Sequence, residues 1–124
     1  MAVGTYLSVA LLTGDDLRLK VTFNIPTASS WGAAFTPDVS KAPTIDVSSP
    51  GYSGTTPGTI NRTVDCSYIS SSVNGSNQLE TLWRPRKPLF NTDTINSFSI
   101  QQGAVTDASG DVTGAAVAQS IHSQ

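Results

Sequence analysis

The sequence predicts an all-β domain: an antiparallel β-sandwich or jelly-roll-like barrel of about seven to eight short strands with one long proline-rich loop. Three observations carry this. The stretch "DLRLKVTFNIP" alternates strictly, Leu17, Leu19, Val21, Phe23 and Ile25 against Arg18, Lys20, Thr22 and Asn24, the period-2 pattern of a half-buried strand. Turn-forming clusters recur at short intervals, as in "TGDD", "SSVNGSNQ" and "TDASGDVTG". Residues 26–58 carry five of the seven prolines, which forbid a long regular element there.

The elements follow in order. "VGTYLSVALL" is the first strand, although both of its faces carry apolar residues: Leu7, Val9 and Leu11 against Tyr6, Ala10 and Leu12. Joined through Thr13 to Asp16, it forms a hairpin with the alternating strand. Residues 26–58 hold five of the seven prolines and leave room for short strands around Trp31–Thr36 and Thr44–Ser48, because each proline removes a backbone donor. "TINRTVDCSYIS" is a long strand with Ile60, Val64, Cys66 and Tyr68 on one face. Asn74-Gly75 marks a turn, and "QLETLW" returns as its partner. "DTINSFSIQQGAV" is a further strand, "TDASGDVTG" a turn, and "AAVAQSIHSQ" a closing strand or short helix.

Length and composition bound the function. A chain of 124 residues makes one domain, 1–124. Charged residues are 13%, about half the usual share, while hydrophobic residues reach 38%, so the chain folds. A net charge of −2 gives no global pull toward nucleic acid or anionic membrane. The N-terminal apolar run lacks a basic leader and a small-residue cleavage site, and the single Cys66 forms no internal disulfide. Synthesis in a cytosol without a signal peptide is expected. Two glycosylation sequons, at Asn61 and Asn74, carry no meaning there.

Catalysis needs titratable groups brought together, and few are present. The one histidine, His122, lies at the C-terminus, and Cys66 reads as a buried small hydrophobe. The nine acids, Asp15, Asp16, Asp38, Asp46, Asp65, Glu80, Asp93, Asp107 and Asp111, form no paired motif. "DASGD" fails as a calcium loop because its glycine is misplaced and no glutamate follows. The expectation is a protein without enzyme activity, catalytic residue, metal or cofactor, and without a small-molecule substrate or membrane partner.

One segment stands apart. Residues 82–92 form a basic, proline-containing connection in which Arg84, Arg86 and Lys87 sit between Trp83 and Phe90. It reads as a solvated crossover whose cations keep a sheet edge soluble, or as an arm docking on a neighbour. Trp83 and Phe90 would then anchor while Arg84 and Arg86 meet acids such as Asp15 and Asp16. Phosphate of nucleic acid is the weaker partner, since three charges bind it poorly alone.

The small size, Met start without a signal, hydroxyl-rich strands, absence of a disulfide framework and loops such as "TDASGDVTG" together resemble small β-rich bacteriophage virion structural proteins: head-decoration, coat or tail-associated subunits. No family motif carries the resemblance, so no residue role follows from it. It implies a non-catalytic structural subunit of a symmetric assembly, located in the virion, whose partners are copies of itself or other subunits of a particle. The alternative is a carbohydrate-binding, lectin-like module in which Trp31, Tyr52 and Trp83 stack on a surface glycan. A pilus subunit is a weaker third reading. The candidate interface residues are thus Trp83, Arg84, Arg86, Lys87, Phe90, Trp31 and Tyr52.

Overall fold

The structure, a computed structural model, describes residues 3–12, 17–25, 35–87, 89, 93–107 and 110–123. Its strands are β1 (Val3–Leu12), β2 (Arg18–Asn24), β3 (Thr36–Pro37), β4 (Thr44–Ser53), β5 (Thr56–Val73), β6 (Gln78–Pro85), β7 (Thr94–Ile100), β8 (Val105–Thr106), β9 (Val112–Thr113), β10 (Ala116–Gln119) and β11 (His122–Ser123). Ten hydrogen-bond in the order β10-β7-β4-β5-β6-β2-β1-β9-β8-β3, and β11 joins β1. The result is all-β, a strongly curled open sheet. The expected count of about seven to eight strands misses the two-residue bridges β3, β8, β9 and β11, too short to leave a periodic trace. Two of the pairings, β1 with β9 and β1 with β11, are parallel.

The curl wraps one core. Leu19, Val21 and Phe23 of β2 face Val9 of β1, Leu79 and Trp83 of β6, Val64 and Cys66 of β5, Ile45 and Val47 of β4 and Phe98 of β7, all at most 1% exposed. Tyr6 closes the curl, edge-on to Phe23 and stacked on Phe98 with ring centroids 6.3 Å away in both cases. These contacts tie β1 to β7, with four strands between them in the sheet order.

The two apolar faces of β1 have a structural cause. The register with β2 slips between Tyr6 and Ser8, so Leu7 is the extra residue of a β-bulge. Tyr6 before the bulge and Val9 and Leu11 after it all face the core, while Leu7 turns out to 45% exposure. A second slip, between Tyr68 and Ser70, turns Ile69 outward and leaves Tyr68 edge-on to Trp83 at 5.4 Å.

β5 does the most to bend the sheet. Its first half, Thr56–Asp65, pairs with β4, and its second half, Cys66–Val73, with β6. One strand thereby passes from one side of the core to the other.

The region expected as a proline-rich loop contains most of a hairpin. β4 runs through Pro50 and Gly51 to Ser53 and turns at Gly54 (φ +66°) into β5. Beyond Ser48 the described residues give β4 only β5 as a neighbour, an edge position where proline is tolerated.

The turn at Asn74 forms as expected, with a different residue in the left-handed region. Asn74 Oδ1 accepts from the N–H groups of Ser76 (2.9 Å) and Gln78 (3.0 Å), and Asn77, not Gly75, takes positive φ. Between β8 and β9, within the expected turn "TDASGDVTG", Asp107 accepts from the Asp111 N–H through Oδ1 at 3.0 Å and from the Gly110 N–H through its carbonyl at 3.1 Å. The closing segment is strand, β10, and not helix. At Gly114 a Cβ would stand 2.8 Å from the Gly4 carbonyl oxygen, so only glycine lets this turn pass so close to β1.

Candidate functional site

The sequence candidates separate when placed on the fold. Trp83 is 1% exposed and belongs to the core. Its Nε1–H donates to Thr81 Oγ1 at 2.9 Å, and Thr81 Oγ1–H donates to the Val21 carbonyl at 3.1 Å, so the indole is fully used inside its own domain. The expected anchor on a neighbour or a sugar is therefore replaced by a packing role for Trp83. Arg84 lies on β6 with its side chain exposed, and Arg86 and Lys87 are exposed just after it. Arg86 N–H donates to the Asp65 carbonyl at 2.8 Å, holding the start of the basic connection against β5. Trp31 and Phe90 lie outside the described residues, as do Asp15 and Asp16, their suggested acidic counterparts. Tyr52 pairs through its backbone with Pro57 in the β4–β5 hairpin.

That hairpin is the feature composition alone did not reveal. β7 pairs with β4 only as far as Ser48, and β6 pairs with β5 only from Cys66. Among the described residues, Ser49–Ser53 and Thr56–Ile60 therefore pair only with each other. Five residues at about 3.3 Å each make a ribbon roughly 16 Å long. Gly54 to Asn61 are exposed throughout, Ile60 at 56%. Ile60 shares the face of Val64 and Cys66 as expected, but it sits past the end of the core and lies over Gly51, where any side chain would collide with its Cδ1.

The ribbon is clasped at its root. Arg62 Nη2 donates to Asp93 Oδ2 at 2.9 Å and Ser49 Oγ donates to Asp93 Oδ1 at 2.7 Å. The Asp93 side chain is 2% exposed and that of Arg62 30%. A carboxylate this deep needs its cation, so the pair fixes where the ribbon leaves the body.

The outer face of β7, β4 and β5 is a hydrogen-bonded polar ladder. Asn96 Nδ2 donates to Ser48 Oγ (2.6 Å), which donates to Asn61 Oδ1 (2.8 Å). Thr63 and Ser97 hydroxyls both donate to Asp46, at 3.2 and 3.1 Å. An open concavity of about 410 Å³ lies here, lined by Asp46, Asn61, Thr63 and Asn96. A second, about 480 Å³, lies between Val39, Thr44, Asp65 and Arg86.

Among the described residues, no group of three His, Cys, Asp or Glu side chains is placed to hold a metal ion. Burial pushes the Cys66 thiol up to about 12, with the neighbouring Asp65 charge adding to the effect; such a thiol is not a nucleophile. No helix among the described residues is long and apolar enough to cross a membrane.

Comparisons with protein-family models, with curated proteins and with solved structures found no match to this chain.

Proposed function

We propose that this protein is a non-catalytic structural subunit of a symmetric assembly, a virion component of the bacteriophage capsid-decoration, coat or tail-associated kind. It acts by burying interface against copies of itself or other subunits. The observation that carries this reading is the β4–β5 ribbon. A clasped, two-stranded extension with exposed faces adds nothing to its own core. Among the described residues, the outer edges of its strands have no further backbone partner, a template for another chain. Shortening tests the reading directly. Replacing residues 50–59 by Asn-Gly joins the register partners Ser49 and Ile60 through a two-residue turn and leaves the clasp in place. The shortened protein is expected to fold and to lose higher-order mass in light scattering; assembly at the full-length level would sink the role of the ribbon.

The second reading, a carbohydrate-binding module, is favoured by the concavity on the polar ladder, where Asp46, Asn61, Thr63 and Asn96 offer carboxylate, amide and hydroxyl groups to sugar hydroxyls. With Trp83 in the core, stacking would fall to Trp31 and Tyr52. A glycan array with Asn61→Ala and Trp31→Ala variants separates it from the first.

A further inference from the structure

We infer that two copies of this chain join through the free edge of β5, antiparallel about a twofold axis at Ile60; the inference rests on the proposed role as an assembling subunit. The direction of the backbone groups decides which edge is free. The Cys66 N–H donates to the Pro43 carbonyl at 2.9 Å, so these two residues form a hydrogen-bonded pair. Along an antiparallel ladder such pairs alternate with pairs whose backbone groups point away. The register then makes Ser49 bond with Ile60 and Gly51 with Gly58, while Pro57, Thr59, Asn61, Thr63 and Asp65 aim their backbone groups away from β4. The Asp65 carbonyl follows this rule, accepting from the Arg86 N–H at 2.8 Å. Pro50 and Pro57 both fall at outward positions, where a missing N–H breaks no bond within the ribbon.

The two edges of the ribbon are unequal. On β4, Thr94 pairs with Ser48, and the next outward residue is Pro50, which has no N–H to give. On β5, Thr59, Asn61 and Thr63 present an unbroken row of outward N–H and C=O groups. Among the described residues nothing bonds to this row, and each of the three residues is exposed. Arg86 closes the edge at Asp65, so the open stretch runs from Pro57 to Thr63 with Ile60 at its midpoint. Laid antiparallel on the same stretch of a second copy, it pairs Thr59 with the partner's Asn61 and Thr63 with the partner's Pro57, making about six backbone bonds. A slip of two residues toward Asp65 would set the partner's Pro57 where Arg86 stands. The side chains agree with this register. Ile60, 56% exposed, meets the partner's Ile60 across the axis and buries apolar surface against it. Arg62 falls opposite the partner's Gly58, whose missing side chain leaves open space, so the guanidinium keeps Asp93 and no like charges face one another. The same surface meets itself, an isologous contact that closes as a dimer.

Ile60→Lys and Ile60→Cys test this. In light scattering Ile60→Lys is expected to associate at least about tenfold more weakly than the parent, since it loses the apolar contact and sets ammonium against ammonium. Under a mild oxidant Ile60→Cys is expected to form a disulfide-linked dimer, because residues facing one another in such a pair stand about 4.5 Å apart at Cα, within disulfide reach. Thr63→Cys is expected to stay unlinked, its two copies lying roughly 20 Å apart along the strands. The native Cys66 is buried and does not compete. If the parent associates and Ile60→Lys associates as strongly, or Ile60→Cys stays unlinked, the edge pairing is wrong and the assembling role stands. Thr63→Cys linking as readily as Ile60→Cys also overturns the pairing. A parent that is monomeric at every concentration overturns the role and the pairing together.

Discussion

At the residue scale, Cys66 and the Arg62–Asp93 clasp make the sharpest claims. Cys66 is fully buried, and its thiol is pushed up to about 12 from an ordinary 9.0. The folded value is the higher one, so the neutral thiol's contribution to stability is complete below about pH 9. It is lost as pH rises from there to about 12, where the unfolded chain alone ionises. Burial raises the Tyr6 phenol as well, which acts in the same direction. Denaturation midpoints measured from pH 8 to 11 should fall, and Cys66→Ala should flatten part of that fall. A thiol reagent at pH 8 should label the unfolded chain and leave the native one unlabelled for hours. At the clasp, Arg62→Ala leaves a nearly buried carboxylate with only its remaining hydrogen bonds. Breaking a fully buried pair costs about 3–5 kcal/mol; with Arg62 partly in water, about 1–3 kcal/mol is expected in urea unfolding. A loss below about 0.5 kcal/mol would show that the clasp is ornamental.

At the scale of elements, the bulge in β1 makes a claim that simple alternation contradicts. Alternation groups Leu7 with Val9 and Leu11 in the core and leaves Tyr6 outside. The bulge reverses both, so Leu7→Ser should change stability by less than about 1 kcal/mol, whereas Tyr6→Ala should cost about 2–4 kcal/mol through its lost contacts with Phe23 and Phe98. Equilibrium unfolding of the two variants decides between the patterns. The same element shows what was legible in the chain. Strands β2 and β7 were readable because their inward residues are large and their outward residues polar, β1 and β6 because turn signals join each to a neighbouring strand, and the Asn74 turn because asparagine side chains cap local amides. The bulges were not, since an extra residue in a strand has no composition of its own. The ribbon was hidden for a related reason: Pro50, Gly51, Pro57 and Gly58 read as loop when their partners across the hairpin are unknown. Trp83 misled because its neighbours Arg84, Arg86 and Lys87 are exposed, while strand alternation alone puts the indole inward.

At the scale of the whole molecule, the curled sheet encloses a complete core, and what remains unexplained by that core lies outside it: the ribbon, the exposed cations after Trp83 and the polar ladder around Asp46. On the proposed reading, the exposed β4–β5 ribbon serves to meet other protein surfaces. That is the central claim, and the native mass of the purified full-length protein tests it most directly. Light scattering across a wide concentration range at low salt should give a mass well above 12.9 kDa, a discrete multiple or a growing particle. A monomer at every concentration would contradict the account.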